Sequence, residues 1–221
     1  TPLQFDRTYR EGITAIEPLD VQYAGELGYR IKHLGIARRT KQGIEMRVHP
    51  TLIPERRLIA NVDGVMNAVL VYGDAVGPTL YYGAGAGRFP TASAVVADLI
   101  DVTRTLTIDS ENRVPHLAFQ PDALSDTRIL SMDEVETAFY LRMQVVDRPG
   151  VLAEVTKILG DRMISIEAII QKEQLDESMF VPVIFLTQRT REQNMREAIE
   201  RIEMLSFIAG AVTRIRVETL A

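Results

Sequence analysis

Residues 138–171 read AFYLRMQVVDRPGVLAEVTKILGDRMISIEAIIQ, and this stretch decides the fold of the second half of the chain. Phe139, Leu141, Met143 and Val145 alternate with Tyr140, Arg142, Gln144 and Val146, the two-residue period of a half-buried strand. Asp147-Arg148-Pro149-Gly150 ends it as a turn, set by proline's fixed φ and glycine's freedom. Val151, Leu152, Val155, Ile158 and Leu159 then recur at helical spacing, and Gly160 stands where a helix C-cap is expected. Ile164, Ile166, Ala168 and Ile170 alternate again. Past a polar tip, Glu173–Ser178, a third strand is marked by Val181, Val183 and Phe185. Pro182 cannot donate to a ladder, which places that strand at an edge or at a bulge. Thr190-Arg191-Glu192-Gln193 fits a capping box ahead of the stripe Met195, Ala198, Ile199, Ile202 and Leu205. Val212–Val217 is a last short strand. The order βαββαβ is the ferredoxin-like arrangement. Both helices can cover one sheet face. The other keeps Tyr140, Val146, Ile169, Ile184 and Leu186, so it is expected to meet a second copy or a ligand.

The chain around this core has 221 residues, 46% hydrophobic and 25% charged, enough for one or two globular domains. Net charge is −5, with 13 basic and 13 acidic residues in 1–120, so the remaining 12 and 17 carry the whole imbalance. No basic footprint for nucleic acid exists, and no apolar run is long enough for a membrane span. There are no cysteines, and His33, His49 and His116 stand in no metal-ligand spacing, so neither disulfide nor metal site is expected. Without a signal peptide at the start of the chain, the expected compartment is the cytoplasm. Residues 111–137 are polar, hold Pro115 and Pro121, and read as a linker between domains 1–110 and 138–221.

In the first half, Leu19–Leu27 reads as a helix stopped by Gly28. Tyr29–Ala37 and Gly43–Val48 read as a hairpin, and Val65–Tyr72 with Thr79–Tyr82 as two further strands. The expectation is a mostly antiparallel sheet with helices, an α+β domain. The chemical signal is Gly83-Ala84-Gly85-Ala86-Gly87-Arg88-Phe89-Pro90-Thr91, where a strand runs through glycines into a helix marked by Ala92, Val95, Val96, Leu99 and Leu106. Glycines let backbone approach a ligand, and a helix N-terminus favours an anion. The spacing is neither a Walker A loop nor a Rossmann GxGxxG, since Arg88 replaces the third glycine. A tight packing turn is the alternative reading.

Residues 140–173, with their DRPGVLA turn followed by ISI, resemble the start of an ACT domain, the amino-acid-sensing module of biosynthetic enzymes. Residues 9–39, 47–71 and 81–102 resemble homoserine dehydrogenase in sequence and order. That resemblance implies NAD(P)-dependent interconversion of aspartate semialdehyde and homoserine on the route to threonine and methionine. It implies a homo-oligomer, dimer or tetramer, formed through the catalytic and ACT domains. The family's Rossmann domain, catalytic lysine and substrate-binding acids are expected upstream of Thr1. No catalytic residue is therefore expected within the 221 residues, which alone should be inactive. By resemblance Gly87 touches the cofactor, with Gly85, Ala86 and Thr91 beside it. An effector, threonine by family expectation, would meet Asp147, Arg148, Pro149, Gly150 and Val151, with backbone from Ser165 and Ile166. Free amides at the helix start could take its carboxylate and Asp147 its ammonium. The alternative is that Asp147 merely caps the helix. His33 is expected as a satisfied core residue and His49 as a structural residue at a strand end. Lys32, Arg56 and Arg57 are expected on solvated faces. A second functional reading is a non-enzymatic amino-acid sensor built from the same domains.

Overall fold

The computed structural model describes residues 1, 2, 4–108, 119–171 and 179–220. The expected tip Glu173–Ser178, the linker residues 111–118 and His116 within them lie outside these. The chain forms two compact units, one of Thr1–Pro2 with Arg56–Asp126 and the other of Leu3–Glu55 with Thr127–Ala221. This division does not follow the 1–110 and 138–221 halves expected from sequence, because the strands of the first fifty residues join the sheet of the last eighty.

The larger unit contains β1 (Tyr9–Arg10), α1 (Pro18–Glu26), β2 (Tyr29–Arg39) and β3 (Ile44–Pro54). The unit of Arg56–Asp126 contributes β4 (Met66–Gly73), β5 (Gly77–Ala84) and α2 (Arg88–Leu106). The larger unit resumes with β6 (Glu136–Val146), α3 (Val151–Asp161), β7 (Ile166–Gln171), β8 (Phe180–Thr187), β9 (Thr190–Arg191), α4 (Glu192–Glu203) and β10 (Ile208–Val217). The architecture is α+β, and β7-β8-β6-β10 is an antiparallel ferredoxin-like sheet. β8 is therefore an inner strand whose β6 ladder runs through Pro182 without a register shift, so neither the edge nor the bulge that Pro182 implied is present. Pro182 lies opposite Gln144 in the β6 ladder. Gly160 does not end α3, which runs to Asp161; Met163 takes the left-handed conformation, φ 56°, past its end. The capping box expected at Thr190 is also absent. Arg191 is the N-cap of α4 and makes no side-chain cap, while Glu192 is buried for another purpose.

Alternation along β6 divides two cores. Phe139, Leu141, Met143 and Val145 face α3 and α4 and pack with Val155, Leu159, Met195, Ala198 and Ile202. Complete burial of each of these side chains other than Ala198 contributes about 1.5–3 kcal/mol. Tyr140 faces the other way with Ile184, Leu186, Ile215 and Val217. That face is not left for a second copy. Tyr23 and Ala24 of α1, together with Leu52, cover it. Val146 packs with the helix-side core, and Ile169 remains 42% exposed. β3 pairs antiparallel with β2 from end to end and parallel with β10 at Thr51–Arg216 and Leu52–Val217, so one sheet spans both ends of the chain. The latter part of the expected linker is structured too: Ile129 bridges to Ile44, and Ile129, Leu130 and Val135 are buried.

In the unit of Arg56–Asp126, β4 and β5 form a separate two-stranded ribbon from Met66–Ala84 to Gly73–Gly77, not a four-stranded sheet with β2 and β3. The stripe on α2 is not buried: Val95, Val96, Leu99 and Leu106 are exposed, as are Val69, Tyr81 and Tyr82 of the ribbon.

Candidate functional site

The glycine loop joins β5 to α2, and its glycines are there for different reasons. Gly85 is a packing glycine: its N–H donates to the Val65 carbonyl at 2.9 Å, and a Cβ there would strike the side-chain amide of Asn67. Gly87 is a conformational glycine. As N-cap of α2 it has φ 116° and ψ 151°, a region open only to glycine, while the nearest atom to an added Cβ is Pro90 at 3.5 Å. The first helical bond runs from the Thr91 N–H to the Gly87 carbonyl at 3.0 Å. Pro90 has no N–H, and no side chain caps the helix. The amides of Arg88 and Phe89 thus open an anion-favouring end. Ala86 and Thr91 are exposed beside it, and the Arg88 guanidinium lies over the Phe89 ring at 4.7 Å.

The turn between β6 and α3 is the second candidate. Gly150 is the N-cap of α3 with φ 95°, and no side chain caps it. Asp147 does not cap the helix; its Oδ1 accepts from Gln171 Nε2 at 3.4 Å. Asp147, Arg148, Pro149 and Gly150 are exposed, and Val151 is buried in the core. Arg148 lies 5.3 Å above the Phe207 ring. Ser165 is exposed, its carbonyl taking the Gln188 N–H at 2.8 Å, and Ile166 is half-buried at the start of β7.

Three buried charge networks were not expected. Asp20, fully buried, accepts from Tyr140 Oη at 3.0 Å and from Arg142 Nε and Nη2 at 2.7 and 3.2 Å. Its other contact is the Glu17 backbone N–H at 2.9 Å, which closes the cap of α1. Burial and the Asp20 charge push the Tyr140 phenol up; burial opposes Arg142's charge, but Asp20 outweighs it and raises its pKa. In the second network Arg216 donates to Glu192 at 2.9 and 2.5 Å and to Glu11 at 3.0 Å. Burial favours a neutral Glu11, yet Arg216 holds it below the usual carboxylate range. In the third, Glu218 takes Arg47 at 2.5 Å and Arg38 at 2.8 Å, and these outweigh burial to lower its pKa. His49 sits here, fully buried in the middle of β3 rather than at a strand end. Arg47 Nη1 lies 2.9 Å from its Nε2; a guanidinium only donates, so Nε2 accepts and Nδ1 carries the proton, facing the Pro50 carbonyl at 2.9 Å. Burial, then the nearby Arg216 charge, lower His49 to about 4. His33 is exposed, not in the core, with Nε2 at 3.1 Å from the Glu11 carbonyl. Arg56 is exposed, and Lys32 and Arg57 are half-exposed. The sequence signal for the second and third networks is the charges recurring every second residue, Glu45-Arg47-His49 and Arg214-Arg216-Glu218, in or beside apolar strands.

A polar cleft of about 280 Å³ between Arg38, Glu45, Glu134 and Arg191 holds the pairs Arg38–Glu45 and Arg191–Glu136 in its walls, while Glu134 pairs with Arg128 outside them. Among the described residues no three His, Asp or Glu side chains converge as a metal site, and no helix is long and apolar enough to cross a membrane.

The βαββαβ portion is an ACT domain, matched over residues 139–203, and residues 1–100 match the homoserine dehydrogenase family. Homoserine dehydrogenase of Pseudomonas aeruginosa is 63% identical over 99% of this chain and 50% of its own length; that of Neisseria gonorrhoeae is 53% identical over 100% and 50%. The crystal structure of a homoserine dehydrogenase from Thiobacillus denitrificans superposes with a TM-score of 0.90 at 64% identity, over 100% of this chain and 49% of that one. The whole chain is thus similar to homoserine dehydrogenases, with that family's model on residues 1–100 and an ACT domain after it. It spans about half the length of these relatives.

Proposed function

We propose that the chain is the substrate-side and regulatory part of an NAD(P)-dependent homoserine dehydrogenase, interconverting L-aspartate 4-semialdehyde and L-homoserine. The observation that carries this reading is the open start of α2: Gly87 in a glycine-only conformation, with two unpartnered amides following it. The dinucleotide would lie against Gly85, Ala86, Gly87 and Thr91, and when bound it would supply or accept the hydride. The chain's contribution there is a backbone surface without side chains and a helix end that favours negative charge. Most of the nucleotide site, the catalytic lysine and the substrate acids belong, on this reading, to the half of the relatives' length that this chain does not span.

The ACT domain supplies amino-acid feedback on this reading, with threonine as effector. The uncapped first turn of α3 takes its carboxylate, and Asp147, whose side chain accepts one long hydrogen bond from Gln171 at 3.4 Å, turns to its ammonium. The exposed apolar residues of β4, β5 and α2 favour a homo-oligomer, since a patch of this kind on a free surface is costly.

The test joins the chain to the N-terminal half of the Pseudomonas aeruginosa relative. Homoserine-dependent reduction of NAD(P) is expected from the fusion and not from the 221 residues alone. Activity in the chain alone, or none in a folded fusion, overturns the assignment.

A further inference from the structure

We propose that the buried Asp20–Arg142 pair is the joint through which occupancy of the β6–α3 turn is felt by the homoserine dehydrogenase segment; this rests on the effector reading above. β6 carries both ends of the connection. Its last residue, Val146, leads directly into Asp147–Gly150, and its outward positions Tyr140 and Arg142 hold Asp20 of α1. Arg142 also bonds Thr213 on β10 at 3.0 Å and Glu17 at 3.0 Å. One carboxylate is therefore gripped by a sheet strand and simultaneously closes the N-terminus of α1 through the Glu17 N–H at 2.9 Å.

This geometry transmits displacement where an apolar contact would not. Leucines against a sheet slide by an ångström with little loss. A bidentate guanidinium–carboxylate pair in a dry site has a narrow optimum, so a shift of β6 must either carry Asp20 with it or break the pair. Because the same Asp20 oxygen holds the helix start, α1 moves with the strand. Stability does not account for the arrangement: well-packed apolar residues in place of a buried ion pair are commonly neutral or stabilising. α1 and its neighbours β2 and β3 lie in the segment that matches the enzyme family, whereas β6 lies in the ACT domain. The pair is thus a positioning device between the two.

Coupling is reciprocal, which gives a readout separate from stability. In the fusion enzyme, the threonine Kd is measured by calorimetry with and without saturating homoserine. The unvaried protein is expected to show a ratio of about 5–150-fold. Asp20→Asn should bind threonine alone with nearly the original Kd and reduce the ratio to near one. Tyr140→Phe, which removes one bond and keeps the ion pair, should fold as the parent and show an intermediate ratio. A folded Asp20→Asn protein with the parental ratio overturns the joint while leaving the effector site standing. If Asp20→Asn does not fold, an unchanged ratio in Tyr140→Phe overturns it. No threonine binding in the parent overturns the effector reading and the joint with it.

Discussion

Acidification from about pH 7.5 to pH 5 should destabilise the larger unit by about 2 kcal/mol through His49 alone. The folded imidazole is fully buried and holds its proton only below about pH 4, against 6.5 in the unfolded chain. Arg216 and Arg47 oppose a charge there and the Pro50 carbonyl favours one, as does Glu11 more weakly; the Tyr9 ring stands edge-to-face with the imidazole, centroids 6.5 Å apart. Because the folded value is the lower one, the unfolded chain takes the proton first. Stability falls as pH drops through 6.5 and the loss is complete below about 4. The full shift of about 2.5 units corresponds to about 3 kcal/mol. Urea denaturation at several pH values measures the slope, with His49→Gln as control: its amide oxygen can still accept from Arg47 but does not titrate. Glu11 and Glu218, whose folded values are depressed, act at lower pH, so the window above pH 5 isolates the histidine. An equal slope in both proteins would refute the reasoning.

Arg216→Met should cost about 3–5 kcal/mol, because Glu192 is left buried and partly uncompensated; a midpoint shift below 1 kcal/mol would contradict the network. Asp147→Ala should leave the midpoint within about 0.5 kcal/mol, the residue being exposed, while abolishing the threonine-induced melting shift; a surviving shift moves the effector site elsewhere. Gly87→Ala should lower stability by about 1–3 kcal/mol from backbone strain, so it does not separate fold from cofactor. Thr91→Val does: unchanged melting with a raised nucleotide KM in the fusion supports the cofactor set, and an unchanged KM removes Thr91 from it. Residues 138–221 alone, stripped of α1, should expose the face of Tyr140, Ile184 and Leu186 and bind an apolar dye or aggregate; a well-behaved monomer would show that the face needs no cover.

Local pattern carried the elements well. Alternation in 139–146 and the helical stripes at 151–159 and 195–205 place β6, α3 and α4 to within three residues at each end. What pattern could not carry was partnership. Tyr140, Ile184 and Leu186 announce an apolar face but not what covers it, and its cover, α1, lies more than a hundred residues away. Pro182 followed a correct local rule, yet its strand pairs on both sides because β7 returns beside it. Gly160 and Thr190 both carry the local pattern of a cap. At Gly160 the helix simply ran on, and at the start of α4 a demand for buried charge, Glu192 for Arg216, outweighed the cap. At the candidate sites, the glycines and the DRPG turn were legible because they are backbone features. The partners in the charge networks were not, because each network joins residues more than a hundred positions apart.

The pairing of β3 with β10 has a consequence for synthesis. Thr51 and its partner Arg216 are separated by 165 residues. At about 5–20 residues per second, the β2–β3 hairpin leaves the ribosome roughly 8–33 seconds before its neighbour exists. Throughout that interval β3 offers an unpaired edge near Leu52 and Ile53, both completely buried in the finished molecule. Such an edge is a template for the wrong strand, including the same hairpin on a neighbouring nascent chain. Slow translation of the second half should therefore favour misassembly, and a chaperone holding the hairpin should raise the yield of folded protein.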